Sequence, residues 1–141
     1  MYKDILLPID LNHASAWEKP LPIAVEYCKA FGAKLHILYV VPDFGRAVVG
    51  SFFPDGFEEK ALASAQDELH EFVSANVPSD IDVQIIIGNG SVYDEILRVA
   101  REISADLIVI HAHRPELKDY LLGPNAARVV RHYAGSVLVV R

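Results

Sequence analysis

Short apolar runs alternate with longer amphipathic stretches along the chain, and this alternation predicts the fold class. The apolar runs are rich in β-branched residues, as is typical of strands buried on both faces. They cover residues 5–9, 35–41, 83–87, 107–110 and 137–140. The stretches between them repeat apolar residues at spacings of three and four, which is the helical period. The chain is therefore expected to alternate strands with helices.

Four segments carry the helical pattern, and local signals mark some of their ends. They span residues 20–31, 58–77, 91–104 and 125–133. Pro20 fits the first turn of a helix, where backbone N–H groups have no helical partner, and Gly32 provides the stop. Ser91 followed by Asp94 resembles a capping pair at the start of the third helix.

Strands alternating with helices indicate a parallel sheet with helices on both faces, a flavodoxin/Rossmann-like doubly wound α/β fold. The pattern leaves the order 2-1-3-4-5 and its relatives open. A length of 141 residues suits a single domain over residues 1–141. The irregular segment 42–56 is the one candidate for a mobile flap. In such a sheet, ligands bind beyond the carboxyl ends of the strands, where the strand order reverses.

Charge and composition narrow the classes of function. The net charge of −6 and the scattered Lys and Arg residues provide no basic surface for nucleic acid. No apolar run approaches the ~20 residues that cross a bilayer, and the first residues do not resemble a signal peptide. Cys28 is the single cysteine, so neither an intrachain disulfide nor a cysteine-rich metal site is expected. These features predict a cytoplasmic protein that contacts neither membranes nor nucleic acid.

The stretch from His111 to Ala126 is the most informative about chemistry. It leads from a strand tip into the start of the last helix, where unpaired N–H groups and the helix dipole favour anions. A guanidinium at Arg114 can add a bidentate phosphate contact. His111 and His113 form an H-x-H pair, but no third residue has the spacing of a metal ligand. The stretch therefore predicts a phosphate site and no metal site.

Motifs of catalysis are absent from the sequence. No serine lies in a G-x-S-x-G setting, no Walker A lysine is present, and no G-x-G-x-x-G follows the first strand. The glycines at 88 and 90 are interpreted as a tight turn into the third helix. Asp10 and Asp43 are the only carboxylates placed to assist phosphate chemistry, so no catalytic residue is predicted. At most, slow ATP hydrolysis or autophosphorylation is expected.

Several motifs together resemble the universal stress protein family. They are the opening KDILLPID of residues 3–10, ADLIVI of residues 105–110 and the ending VLVVR of residues 137–141. Residues 113–115 (HRP), 121–123 (LLG), 125–126 (NA) and 129–132 (VVRH) are similar to the bacterial F/G-type subgroup in particular. The resemblance runs nearly end to end and is weakest across residues 42–56.

This resemblance implies a five-stranded parallel sheet in the order 3-2-1-4-5 and a homodimer joined through the last strands. It also implies binding of ATP or AMP between strands one and four, with Mg²⁺ able to accompany the phosphates. The implied nucleotide-binding residues are Pro8, Ile9, Asp10, Val40, His113, Arg114, Gly123, Asn125 and Ala126. Pro8 and Ile9 would line the base pocket, Asp10 would approach the adenine or ribose, and Val40 would offer its main chain to the adenine edge.

The chain departs from the family's G-x2-G-x9-G-[ST] motif, whose aligned positions hold Ile110, His113, Gly123 and Pro124. Pro124 replaces a Ser or Thr and removes both a hydroxyl and an N–H that would face the phosphates. Such a lost hydrogen bond to a charged group is worth ~1.5–3 kcal/mol, or roughly a tenfold to hundredfold loss of affinity. Local alternatives remain open: Asp10 as a cap of the loop that follows it, and His113 with Arg114 as a solvated loop.

The last strand carries a separate prediction. Its apolar residues would form an exposed edge unless a second copy covers them, so they are the predicted dimer interface. These residues are Val137, Leu138, Val139 and Val140. Two hypotheses follow: a dimeric module for stress response or signalling that binds adenine nucleotide, and a nucleotide-free dimer that acts by contacting proteins. A third, an electron-transfer flavoprotein domain, rests on the fold alone and lacks a matching motif.

Overall fold

The computed structural model describes residues 1–41, 56–112 and 124–141, and within them it forms one parallel sheet flanked by helices. The strands are β1 (Asp4–Ile9), β2 (Lys34–Val41), β3 (Val83–Asn89), β4 (Leu107–His111) and β5 (Ser136–Val140). The helices are α1 (Pro20–Phe31), α2 (Phe57–Asn76), α3 (Val92–Glu102) and α4 (Pro124–His132), with a short 3-10 helix over Ala14–Ala16. The strand order is β3-β2-β1-β4-β5, so the order implied by the family resemblance is confirmed.

The core lies in two layers, one on each face of the sheet. The layer under α1 and α2 contains Ile5, Leu7 and Leu35, together with Leu69 of α2. The opposite layer, under α3 and α4, contains Leu6, Leu38, Ile96 and Val129. Because successive residues of a strand point to opposite faces, the continuous apolar runs of β1 and β2 supply both layers at once.

Local signals fixed the ends of the first helix. α1 begins at Pro20, as predicted, and Gly32 ends it in the left-handed conformation with φ of 64°. This conformation has little cost for glycine because the residue has no Cβ. The amide of Gly32 then donates to the carbonyl of Cys28 in the last turn.

The predicted capping pair at α3 is wrong. Ser91 occupies the N-cap position with an extended backbone, but its side chain makes no capping hydrogen bond. Glu95, rather than Asp94, turns back toward the preceding strand, where its Oε1 accepts the amide of Asn89 at 2.9 Å. The start of α3 is therefore tied to the end of β3 by a glutamate at the fourth position of the helix.

Candidate functional site

The hydrogen-bonded pairing of β1 with β4 ends early, toward the carboxyl end of the sheet, where doubly wound folds have their ligand crevice. β1 pairs with β2 along its whole length, from Asp4 opposite Lys34 to Ile9 opposite Tyr39. Its pairing with β4 covers Ile5 and Leu6 and extends no further within the described residues. The strand order also reverses here, since β2 and β3 lie to one side of β1 and β4 and β5 to the other. This is the position at which open parallel sheets bind ligands.

Pro8 gives a physical reason for this early end of pairing. The carbonyl of Asp4 accepts the amide of Asp106 at 2.8 Å, so Asp4 faces β4, whereas the carbonyl of Lys3 accepts the amide of Lys34 and faces β2. Backbone groups of alternate residues in a strand face opposite neighbours, so Leu6 and Pro8 also face β4. Proline has no N–H to donate, and β1 therefore lacks a donor where its pairing with β4 ends.

Val40 belongs to β2, which neighbours β1 on the side away from β4. The amide of Lys34 donates toward β1 and that of Leu35 donates to Asp82 in front of β3, so even-numbered residues of β2 face β1. Val40 is half-buried and follows Tyr39, the last residue of β2 that pairs with β1. Its carbonyl thus faces the space beyond Ile9. The predicted contact of the Val40 main chain with adenine fits this placement and stays a prediction.

Asp10 closes the loop that follows β1. Its Oδ1 accepts the amide of Asn12 at 2.9 Å, and its Oδ2 lies 2.7 Å from Nδ1 of His13. The hydrogen bond from the Asn12 amide forms an Asx turn, so Asp10 caps the loop that follows it, as in the local alternative. Both carboxylate oxygens of Asp10 therefore have partners in its own loop, although the side chain is 45% exposed. A direct contact of Asp10 with adenine or ribose stays a prediction.

The loop is also fastened to β2. The side-chain amide of Asn12 donates to the hydroxyl of Tyr39 at 3.2 Å. Burial raises the pKa of the Tyr39 hydroxyl, the hydrogen bond from Asn12 lowers it, and the carboxylates of Asp10 and Glu68 raise it further. The phenol is therefore neutral at physiological pH. Sequence reasoning missed Asn12 and Tyr39, although an Asp followed two residues later by Asn after a strand is a recognisable turn signal.

The first turn of α4 supplies two of the predicted nucleotide-binding residues. Asn125 is exposed, and the Ala126 side chain is buried under the sheet at 2% exposure. Pro124 begins the helix and brings no N–H, so the amides of Asn125 and Ala126 are the first donors of the turn. The other predicted residues of this segment, His113, Arg114 and Gly123, lie outside the described residues. Of the predicted flap, residues 42–56, only Gly56 is described.

Other reactive groups among the described residues are placed for structure rather than chemistry. The thiol of Cys28 is buried, and burial raises its pKa to about 11, so it is protonated and inert. The imidazole of His36 is 4% exposed and lies between the side chains of Asp4 and Gln84. Groups of three or more acidic, histidine or cysteine side chains that could hold a metal are absent from the parts of the chain that the structure describes.

The fold defines the class: a doubly wound α/β protein in which pairing between the two central strands ends early at the switch point of its sheet. The model of the universal stress protein family matches residues 1–141. The chain belongs to the universal stress protein family. None of the helices built from the described residues has the length and apolar character of a membrane span.

Comparison with individual proteins agrees with this assignment. Universal stress protein G of Escherichia coli O157:H7 is 33% identical over 143 residues, and the match covers both chains completely. The structure of universal stress protein UspA from Lactobacillus plantarum is 25% identical, with a TM-score of 0.70 over 99% of this chain and 98% of that one.

Two further solved structures contain nucleotides. A universal stress protein in complex with cAMP is 23% identical, with a TM-score of 0.61 over 99% of this chain and 97% of that one. The universal stress protein of Archaeoglobus fulgidus in complex with dAMP is 19% identical, with a TM-score of 0.71 over 99% and 98%. At these identities the likeness demonstrates the shared fold.

Proposed function

We propose that this universal stress protein acts as a single domain that binds an adenine nucleotide, ATP or AMP, in the crevice between β1 and β4. In the same proposal it works as a dimeric module of stress response or signalling rather than as an enzyme. The observation that carries the proposal is the early end of β1–β4 pairing beside Pro8, at the switch point of the sheet. Support comes from two proteins of the same fold that hold cAMP and dAMP.

The described residues suggest how the nucleotide would be held. The carbonyl of Val40 would accept the exocyclic amine of adenine, and Pro8 would contact the base. The amides of Asn125 and Ala126 would donate to phosphate oxygens at the positive end of α4. Asp10 would act by holding its loop in shape, since its two oxygens are already engaged. Mg²⁺ would enter with ATP through the phosphates.

Nucleotide content and affinity test this proposal directly. Purified protein is denatured, the released small molecules are analysed, and the emptied protein is titrated with ATP and AMP by calorimetry. We expect micromolar affinity that falls at least roughly tenfold in Arg114→Ala, because a guanidinium–phosphate contact contributes about 1.5–3 kcal/mol. Arg131→Ala removes an arginine from the last turn of the same helix and is the matched control.

Asp10 needs a more careful substitution, because Asp10→Ala also destroys the Asx turn. Asp10→Asn keeps an acceptor for the Asn12 amide and removes the charge. Nearly unchanged affinity in Asp10→Asn with a clear loss in Asp10→Ala would mean that Asp10 positions the loop. A large loss in both would mean that the carboxylate contacts the ligand. No released nucleotide and no heat up to millimolar ATP would overturn the nucleotide proposal.

The proposed dimer would form through β5, the strand at the edge of the sheet. β5 pairs with β4 on one side, and no described strand covers its other side. Its residues Val137, Leu138 and Val139 are half-buried, whereas Val140 is buried. Val139→Asp should yield monomers by light scattering, since a carboxylate at a paired strand edge would be buried without a partner. Val92→Asp changes an exposed valine of α3 in the same way and should leave the mass unaltered.

A nucleotide-free dimer that acts by binding proteins is the second candidate. The observation that favours it is Pro124, which starts α4 without the N–H that would face a phosphate. A dimeric mass together with an empty calorimetric titration would select this candidate.

A further inference from the structure

The loop that follows β1 brings an aspartate and a histidine into contact. Oδ2 of Asp10 lies 2.7 Å from Nδ1 of His13. The side chain of His13 is 72% exposed and that of Asp10 is 45% exposed, so the pair lies at the surface of the molecule. The contacts proposed above for the nucleotide leave the imidazole of His13 unused.

Other contacts of the same loop hold the imidazole in place. The second carboxylate oxygen of Asp10 accepts the amide of Asn12 at 2.9 Å, and the side chain of Asn12 donates to the hydroxyl of Tyr39. The backbone amide of His13 donates to the carbonyl of Asp10 at 3.2 Å. The ring of His13 is therefore oriented before any ligand arrives, which reduces the entropy that binding costs.

The contact with Asp10 determines which ring nitrogen of His13 faces outward with a lone pair. A carboxylate accepts hydrogen bonds, so the proton of the neutral imidazole lies on Nδ1 and points to Asp10. Nε2 then carries the lone pair and can accept a hydrogen bond. Among the described residues, Nε2 of His13 has no hydrogen-bond partner.

His13 lies in the part of the loop that passes from β1 toward β4. The short 3-10 helix over Ala14–Ala16 follows His13 directly and contacts β4. The amide of Ala16 donates to the carbonyl of His13 at 3.0 Å, which joins the histidine to this helix. Pairing of β1 with β4 has already ended at Leu6. His13 is therefore close to the place where the nucleotide is proposed to bind.

The order of the strands indicates which part of the nucleotide would be nearest to this loop. In the proposed site the adenine lies at Val40 of β2, and the phosphates lie at the start of α4, the helix that follows β4. β1 lies between β2 and β4 in the sheet. The sugar joins the base to the phosphates, so it would lie over the end of β1, where the loop of Asp10 and His13 begins.

Hydrogen-bond chemistry leads to the same part of the ligand. The donors of an adenine nucleotide are the exocyclic amine and the ribose hydroxyls, whereas ionised phosphate oxygens accept. The amine is already assigned to the carbonyl of Val40. We infer that Nε2 of His13 accepts a hydrogen bond from a ribose hydroxyl of the bound nucleotide and makes the site selective for ribose over deoxyribose. This inference rests on the proposed function.

Deoxy analogues test the inference on the intact protein by calorimetry. The natural sequence should bind AMP about fivefold more tightly than either 2′-deoxy-AMP or 3′-deoxy-AMP, because one hydrogen bond is lost. The analogue that binds more weakly identifies the hydroxyl. His13→Ala should bind AMP about fivefold more weakly and show no preference. His70→Ala removes an exposed histidine of α2 and should keep both the affinity and the preference.

Two further measurements separate recognition of the sugar from other roles of His13. Adenosine has the same sugar and no phosphate, so His13→Ala should weaken adenosine and AMP by the same factor. His13→Phe keeps an aromatic ring but has no lone pair, and it should lose the preference as His13→Ala does. A preference retained in His13→Phe would mean that the ring only fills space.

The possible failures of this inference differ from a failure of the proposed function. AMP binding with equal affinity for both deoxy analogues would overturn the role of His13 alone. A loss in His13→Ala for AMP but not for adenosine would also overturn it and assign the imidazole to the phosphate. Absence of AMP binding in the natural sequence would overturn the proposed function together with this inference.

Discussion

The two ends of the parallel sheet differ in how closely the neighbouring strands are joined. At the amino end, the carboxylate of Asp106 accepts the amides of Lys3 and Asp4 at 2.7 and 2.9 Å, so the start of β4 is tied to the start of β1. At the carboxyl end, β1 and β4 no longer pair beyond Leu6 within the described residues.

His36 strengthens the joined end across three strands. Its Nε2 lies 2.8 Å from Oδ1 of Asp4 on β1, and its Nδ1 lies 2.7 Å from Oε1 of Gln84 on β3. The imidazole is buried, so it needs partners for both ring nitrogens to offset its desolvation. The one polar side chain of the buried core, as far as the structure describes it, therefore serves to join strands.

From this difference we expect stability and the proposed nucleotide binding to depend on different ends of the sheet. The amino end has hydrogen bonds between side chains and neighbouring strands, and we expect it to determine how stable the fold is. The carboxyl end lacks a donor at Pro8, and the proposed nucleotide site lies there. Substitutions at the two ends should consequently change different measurements.

The largest expected effect is on stability at the amino end. His36→Ala removes a buried ring and leaves the side chains of Asp4 and Gln84 without their shared partner. We expect the free energy of unfolding in urea to fall by about 2–3 kcal/mol. His70→Ala, at an exposed position of α2, should change it by less than about 0.5 kcal/mol. Equal losses of unfolding free energy in His36→Ala and His70→Ala would mean that the buried contacts of His36 do not stabilise the amino end of the sheet.

The next effect concerns the carboxyl end and uses nucleotide affinity as its measurement. Pro8→Val restores an N–H that faces β4, so pairing of β1 with β4 should extend and the crevice should narrow. We expect the affinity for ATP or AMP to fall about tenfold, which corresponds to ~1.4 kcal/mol. Stability should hardly change, because one added hydrogen bond of about 1 kcal/mol is offset by the greater freedom of the unfolded chain.

Pro22→Ala is the control for this substitution, since Pro22 is an exposed proline in the first turn of α1. It should leave nucleotide affinity unaltered. If Pro8→Val binds nucleotide as tightly as the natural sequence does, the missing donor is not what keeps the crevice open.

The smallest effect is a pH dependence at the amino end. The amide of Asp4, and then that of Lys3, lower the pKa of the Asp106 carboxyl. Because the folded-state pKa is the lower one, this carboxylate stabilises the fold above its unfolded pKa of about 3.9, and the contribution is lost as pH falls through the folded value. Asp106→Asn should therefore cost about 0.5–1 kcal/mol at pH 7.

Denaturation at two pH values checks this expectation. The difference in unfolding free energy between the natural sequence and Asp106→Asn should be present at pH 7 and shrink toward pH 3. A difference of the same size at both pH values would mean that the negative charge of Asp106 is not what the two amides recognise.

Much of the fold followed from local pattern. The predicted span of α1 matches the structure, and each predicted end of the other helices and of the strands lies within two residues of the observed end. These predictions succeeded because the spacing of apolar residues, and the Pro and Gly residues at helix ends, determine secondary structure within a few residues along the chain.

The candidate site was harder to predict because its geometry depends on residues that are distant in sequence. Proline in β1 was evident, but only the pairing of β1 with β4 identified which neighbour its missing N–H faces. The link from Asn12 to Tyr39 likewise joins two separate strands. The capping prediction at Ser91 was wrong because a capping pair requires a hydrogen bond made by the serine side chain, and Ser91 makes none. The carboxylate of Glu95 instead accepts the amide of Asn89.

The sequence by itself determined the class of fold, the residues that form the core and the family to which the chain belongs. Those properties depend on hydrophobic period, turn residues and contiguous motifs, all of which are encoded locally. The tertiary structure decided where the pairing of β1 with β4 ends, what Asp10 is bonded to, and that Arg128 of α4 lies over the Tyr93 ring of α3. Those properties depend on which segments become neighbours, and strand order and helix packing are set by the whole chain at once.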